Sequence, residues 1–369
     1  MSIRGADGQA DPRFDEAARH YDALLFLSFG GPEGMDDVMP FLENVTRGRN
    51  VPHERLLEVA EHYYHYGGVS PINQQNRDLI AALEADLAAH DIDLPIYFGN
   101  RNWTPFVGDT IARMKADGVR RALVFATSAF SSYSGCRQYR ENVVDAMAAL
   151  GLTDDDIAFD KLRVFYNHPG YVGTMSRLVR QALDRFPADH RDAVEVVFTA
   201  HSIPMAMARN CAYEAQLREA CRLVAEEVGI ARWRLCYQSR SGPPQVPWLE
   251  PDILDVLDDL HAAGRDDVVV SPIGFISDHL EVLYDLDDEA KAKADDLGMR
   301  MVRGATVGAD PEFVGMIRRL IEERMTEQPV RLALGVRGPN HDVCPVNCCL
   351  SGATARPPVH AAAMAAGAD

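Results

Sequence analysis

His201 follows directly on an apolar run in "VEVVFTAHSIP". A histidine at the carboxyl end of such a strand sits where α/β folds place their ligands. Its near-neutral pKa allows it to accept a proton or bind a metal. The plainer alternative is a histidine that caps a helix or satisfies a loop carbonyl. The segment "SPIGFISDHLEVLYDLDDEAKAKADD" is more specific, because Glu281, Asp285 and Glu289 are spaced by four and share one helical face. Like charges in a row repel, so such a line needs a cation or solvent to compensate it. A solvated acidic face is the simple reading, but Asp278 and His279 stand just before Glu281. Carboxylates beside imidazole suit a hydrated divalent metal.

A second cluster is built of sulfur. Cys344, Cys348 and Cys349 fall within six residues in "HDVCPVNCCLSG". Three thiolates need a fourth donor to hold a [2Fe–2S] cluster or a tetrahedral zinc ion. Cys136, in "SSYSGCRQYREN", is the best fourth candidate because it follows a strand end in a loop. Uncoordinated thiols are the remaining reading. Cys211, Cys221 and Cys236 lie on or beside apolar elements and read as core. Seven cysteines without an export signal fit a disulfide framework poorly.

These groups need walls and supports. Phe29, Arg47, Arg49, Tyr63, Tyr64, Arg101, Trp103, Tyr133, Arg137 and Phe275 lie near expected strand ends. A flat apolar ligand would want the aromatic faces, and acidic substituents would want arginine or hydroxyl partners. Ser70, in "GGVSPINQQN", stands between glycines that bring backbone close and a stiffening proline.

The elements that must position them follow from apolar runs. Residues 23–29 (ALLFLSF) read as a parallel strand covered on both faces, and similar runs recur at 96–99, 122–127, 162–166, 194–200, 233–237 and 268–271. Helical stretches alternate with them at 56–66, 75–89, 213–228 and 253–263. The alternation predicts an α/β protein with two doubly wound, Rossmann-like lobes whose strand ends border one central cleft. The expected division is a flexible segment 1–20, a first lobe 21–185, a second lobe 186–330, and a cysteine-bearing segment with a mobile tail over 331–369. A terminal helix crossing back to the first lobe is compatible with this pattern.

Composition narrows the partners. The chain has 369 residues, 47% of them hydrophobic, and a formal charge of −18. That charge repels polyanions and argues against nucleic-acid binding. No apolar run reaches the roughly 18 to 20 residues that span a bilayer. The first twenty residues are polar and acidic, so a cytoplasmic location without membrane insertion is expected. A monomer is expected, since no oligomer interface is specified.

In this context "SFGGP", "GGVSPI", "TAHSIP" and "FISDHLEVLYDLD" resemble the ordered landmarks of the ferrochelatase family over most of residues 20–325. The sulfur pattern is similar to that of its soluble, cluster-bearing actinobacterial members, which metallate coproporphyrin III. The resemblance implies a chelatase-like fold around a porphyrin cleft. It implies insertion of Fe²⁺, as substrate, into coproporphyrin III, with protoporphyrin IX as the alternative. It places His201 and Glu281 facing one another across the porphyrin as catalytic and metal-binding residues, with Asp285 and Glu289 continuing the acidic line on a distorted helix. Ser70 and Tyr133 would approach the macrocycle or its carboxylates, with Phe29, Arg47, Arg49, Arg101 and Phe275 as further porphyrin contacts. Cys136, Cys344, Cys348 and Cys349 would hold a [2Fe–2S] cluster. Transient contact with neighbouring haem-pathway enzymes is compatible with this reading. Phe29 replaces a tyrosine common in Gram-positive relatives, Asn102 replaces histidine or tyrosine, and only Tyr213 survives of a Gly-Asp-Pro-Tyr motif. Competing readings are a chelatase for another tetrapyrrole, acting on a precorrin or sirohydrochlorin, and a non-enzymatic metal- or haem-binding protein.

Overall fold

The run Ala23–Ser28 forms strand β1 with every residue buried. Alternation along it explains the layers: Leu24 and Phe26 face a core shared by both halves, while Ala23, Leu25 and Leu27 face an outer core. A strand covered on both faces must be apolar throughout. The structure, a computed structural model, describes residues 11–48 and 51–352. Arg49, residues 1–10 of the N-terminal segment and the tail from Ala353 lie outside the described residues.

Two four-stranded parallel sheets organise the chain. The first contains β1, β2 (Ile96–Asn100), β3 (Arg121–Ala126) and β4 (Ala158–Lys161), in the order β2-β1-β3-β4. The second contains β5 (Glu195–His201), β6 (Trp233–Gln238), β7 (Asp267–Ser271) and β8 (Arg300–Arg303), in the order β6-β5-β7-β8. The two orders are the same topology repeated, which is the two-lobed α/β architecture that the alternating pattern predicted.

The helices are α1 (Val38–Val45), α2 (His53–His65), α3 (Ile72–Ala89), α4 (Val107–Ala116), α5 (Gln138–Ala149), α6 (Pro169–Leu183), α7 (Met205–Ala208), α8 (Tyr213–Val228), α9 (Ile253–Ala262), α10 (Leu280–Val282), α11 (Lys291–Asp296) and α12 (Pro311–Met325). Helix α6 follows the first sheet in sequence but packs on α8, β7 and β8 of the second. Helix α12 crosses the other way and packs on both α3 and α6. A buried, bidentate pair between Arg163 and Glu323, at 2.7 and 2.8 Å, fastens this crossing.

Two strand expectations are corrected. The run at 162–166 is buried but lies beyond β4, which occupies Ala158–Lys161. Its burial comes from the returning C-terminal segment, where Leu332 and Leu334 carbonyls accept from Arg163 and Asn167. Strand β8 was missed because "RMVR" offers only two apolar residues at a sheet edge.

Residues 11–20 are tied to the C-terminal segment by pairs of Arg324 with Asp15 and Arg331 with Glu16. Among the described residues, no helix is long and apolar enough to cross a membrane.

Candidate active site

All strands in a sheet run in parallel, so their carboxyl ends share one edge. Strand β5 ends on His201 itself, and β6 ends on Gln238 with Ser239 following. The loop after β7 is pulled over this edge because Gly274 donates its N–H to the Thr199 carbonyl at 3.0 Å. A Cβ on Gly274 would lie 2.6 Å from that of Ala200, so no other residue allows this approach. The loop then delivers Asp278, His279 and Glu281.

His201 is oriented from two sides. Tyr213 donates its hydroxyl to the His201 carbonyl at 3.0 Å, and the ring Nδ1 contacts the Ser202 carbonyl. A carbonyl only accepts, so Nδ1 carries the proton and Nε2 of the neutral ring is left with a lone pair. That Nε2 stands 3.6 Å from Oε2 of Glu281. Both side chains remain partly exposed, at 34% and 48%.

This distance corrects the expected arrangement. A macrocycle between the two groups would need two contacts of about 3.5 Å each, about 7 Å in all. His201 and Glu281 both come from the second lobe and sit side by side, forming one face of the site.

Behind Glu281 the helix turns irregular. A π-helical stretch, Leu283–Ala290, stands where four-residue spacing alone suggests an α-helix, and it is the distorted helix that the family resemblance implied. Its wider i→i+5 turns frequently mark functional sites. Asp285 is held by Gln238 at 3.5 Å and by a short contact with the Ser239 hydroxyl. Burial, with Glu281 and Glu289 adding repulsion, pushes its carboxyl up to about 7. Glu289 is raised as well, by burial and then by Asp252 and Asp288. Burial holds His279 below the usual histidine range.

The stretch is braced from outside. Arg303 on β8 pairs with Asp278 at 3.0 Å and Asp287 at 2.7 Å, linking the loop before Glu281 to the turn after it. From the first lobe, Tyr66 donates to Asp288 at 2.6 Å and His62 stacks on Tyr284 with ring centres 3.7 Å apart. Gln75 accepts the Asp278 N–H at 2.8 Å. Leu280 buries into the cluster formed by Val38, Phe41, Leu56 and Tyr63.

First-lobe residues fall into three groups. Phe29, half-buried after β1, packs edge-on to Phe41 and lies 5.5 Å from the Arg101 guanidinium. Arg101 bonds Asn142 and the Ser134 carbonyl, which places it beside the turn carrying Tyr133. Tyr133 is half-buried and donates to Glu141 at 3.0 Å. Ser70, by contrast, is 4% exposed and presses on Gly31, where a Cβ would meet its Cβ at 2.7 Å. It braces the glycine loop from beneath. Arg47 is exposed beyond α1, and Phe275 packs against His279 in the second lobe.

The cysteines do converge. Cys136 lies in a single π-turn, Tyr133–Arg137, that also carries Tyr133. Its sulfur is within hydrogen-bonding reach of Cys344 and Cys349, Cys344 reaches Cys348, and the Cys348 and Cys349 sulfurs are 3.4 Å apart. Adjacent cysteines aim together because Cys349 takes a left-handed backbone, φ 56°. The neighbouring sulfurs pull the Cys344 and Cys348 thiols down and push Cys136 and Cys349 up, as protons shared around a ring would. Arg140 is near enough for all four cysteines to raise its pKa, and its buried Nε is unpartnered. Four converging thiols with a buried cation beside them fit an anionic iron–sulfur cluster.

Comparison with known proteins decides the family. The sequence profile described as Ferrochelatase matches residues 21–325. The chain belongs to the ferrochelatase family. It is 55% identical to the ferrochelatase of Rhodopirellula baltica over 340 residues, covering 92% of this chain and 96% of that one. It is 53% identical to the coproporphyrin III ferrochelatase of Streptomyces coelicolor over 368 residues, covering 94% and 97%. Among solved structures, SirB from Bacillus subtilis with Fe³⁺ aligns with a TM-score of 0.50 at 12% identity, over 84% of this chain and 100% of that one. That likeness speaks to the fold alone. As a ferrochelatase the protein is a lyase-type enzyme that places iron in a porphyrin.

Several supports of this ferrochelatase site went unrecognised in sequence. Ser239 directly follows Gln238, the β6 residue paired in register with His201, so it sits at the same sheet edge, and that position was a usable signal. His341 lies 3.9 Å from the Cys348 sulfur, and its spacing in His-x-x-Cys-x-x-x-Cys was a usable one too. Arg303, Tyr66 and Arg140 carried no local signal, since each acts across a large sequence separation.

Proposed function

We propose that the protein inserts Fe²⁺ into coproporphyrin III, releasing two protons, and carries a [2Fe–2S] cluster on Cys136, Cys344, Cys348 and Cys349. The observation that carries the substrate assignment is the 53% identity, over nearly the whole of both chains, to the coproporphyrin III ferrochelatase of Streptomyces coelicolor. A cytoplasmic setting accords with the reduced cysteines such a site needs.

His201 and Glu281 act on one face of the macrocycle. The bare Nε2 of His201 accepts a pyrrole proton, because Nδ1 is engaged by the Ser202 carbonyl. Glu281, 3.6 Å away, takes that proton onward or stabilises the imidazolium it leaves. Asp285 and Glu289 provide the following stations for protons or hydrated iron, and the raised carboxyl of Asp285 suits a group that exchanges protons near neutrality. Phe29 and Phe275 supply apolar walls, Ser70 holds the loop under Phe29's strand end, and Arg47, Arg49, Arg101 and Tyr133 are the partners for propionates. A bound cluster would cross-link the first-lobe π-turn to the C-terminal segment; Arg140 would offset its charge.

Anaerobic steady-state kinetics with coproporphyrin III and protoporphyrin IX tests the substrate. A higher kcat/KM for coproporphyrin III is expected, and equal or reversed preference would refute the assignment. Iron and acid-labile sulfide in the purified protein test the cluster.

A further inference from the structure

His341, Cys344 and Cys348 place one nitrogen and two sulfurs within 4.8 Å of one another. Two of these donors belong to the proposed cluster, but His341 does not. We infer that these three residues form a mononuclear site for a zinc-class divalent cation, filled when the cluster is absent.

The donor set suits such an ion. Imidazole with two thiolates is borderline-soft, and zinc binds Sγ at about 2.3 Å and imidazole nitrogen at about 2.0–2.1 Å. Tetrahedral geometry at those lengths sets nitrogen and sulfur about 3.6 Å apart. The observed Cys348 to His341 Nε2 separation is 3.9 Å. A contraction of a few tenths of an ångström closes the site, within the reach of two rotamers.

The loop is built without help from any metal. Asp342, next to His341, is buried and paired with Arg331 at 2.6 Å and Arg324 at 3.4 Å. The Asp342 N–H also donates to the Arg13 carbonyl at 3.0 Å. On the other side, Arg137 donates to the Val346 and Cys348 carbonyls at 2.8 and 3.1 Å. The His341 end is thus held by the N-terminal segment, α12 and Arg331, and the Cys348 end by Arg137 of the first lobe, before an ion arrives. Pre-organisation of this kind lowers the cost of binding.

Binding is balanced by loss of two thiol protons to solvent, with the fourth position taken by water. Because Cys344 and Cys348 are shared, a single ion and the cluster exclude one another. This inference rests on the cluster reading only for that exclusion; the triad itself stands on its geometry.

The test uses full-length protein stripped of its cluster anaerobically with chelator and reductant, titrated with Co²⁺ as the spectroscopic probe. One thiolate-bound Co²⁺ per chain, counted from its thiolate-to-cobalt charge-transfer band, is expected, displaced by Zn²⁺. The His341→Ala variant should bind about tenfold more weakly or worse, since even lost outer-shell partners cost about that much. Cobalt at His201 and Glu281 gives no thiolate band, which separates the two sites. A Cys136→Ser chain, lacking one cluster ligand but none of the triad, supplies a second route to cluster-free protein. Absence of the thiolate band, equal affinity in His341→Ala, or loss of folded circular dichroism in both preparations overturns the inference. Iron and sulfide content of the unstripped protein reports the cluster separately, so either reading can fail alone.

Discussion

The Nε2 of His201 and the Oε2 of Glu281 lie 3.6 Å apart, on neighbouring elements of one lobe. A proton taken by the imidazole therefore has a carboxylate within reach on the same side of the substrate. On the proposed reading, removing either group breaks a proton relay. His201→Ala and Glu281→Gln should each lower kcat by about 10²-fold or more, the usual range for a positioned acid–base group. The double variant should lose little beyond the worse single one, because residues acting as a unit are not additive. Metalloporphyrin formation rates of the three variants check this.

Asp285 gives a signed pH dependence. Its carboxyl is raised to about 7 in the folded chain, chiefly by burial, against 3.8 unfolded. The folded state then binds the extra proton between those values, so this group costs nothing below about pH 4 and destabilises increasingly as pH rises through 7. Asp285→Asn should raise the metal-free unfolding midpoint at pH 8 and leave it nearly unchanged at pH 4. Urea titrations at the two pH values compare them. A larger gain at the lower pH would contradict the assignment.

Arg303 is proposed as a positioning residue, since its guanidinium is taken up by Asp278 and Asp287 on either side of Glu281 and Asp285. Arg303→Gln leaves two half-buried carboxylates without their cation and should cost about 3 kcal/mol. It should also reduce kcat more than it alters KM, because the π-helical stretch carrying Asp285 is released. Thermal unfolding and steady-state kinetics read the two effects.

Tyr66 and Asp288 join the lobes through a 2.6 Å hydrogen bond. Tyr66→Phe keeps the ring and removes the donor, so a loss of about 1 kcal/mol is expected. Denaturant unfolding checks it; an unchanged midpoint would mean the bond contributes nothing across the lobe boundary.

The legibility of this chain in sequence follows physical range. Strands β1, β5 and β7 were readable because sheets covered on both faces need unbroken apolar runs, and Tyr213–Val228 was readable from its helical period. That His201 meets Glu281 and that Cys136 joins the three C-terminal cysteines was anticipated from residue types whose chemistry groups them, together with the ordered family motifs. The side-by-side geometry of His201 and Glu281 was not, since it depends on Gly274 drawing one loop across another strand. The distorted helix under Asp285 and Glu289 was legible only through the family resemblance, since spacing by four alone suits an ordinary helix; Arg303, Tyr66 and Ser239 contact it from distant segments. Ser70 had the sequence setting of a ligand contact, and the structure places it buried beneath Gly31, a packing that local spacing does not reveal.

Single-turnover insertion of Fe²⁺ into coproporphyrin III under anaerobic conditions, in the parent and in His201→Ala, tests the central claim most directly. The account predicts iron coproporphyrin with two protons released per ring in the parent, and a rate lower by about 10²-fold or more in the variant. Porphyrin binding without any metallated product in the parent, or an undiminished rate in His201→Ala, would contradict it.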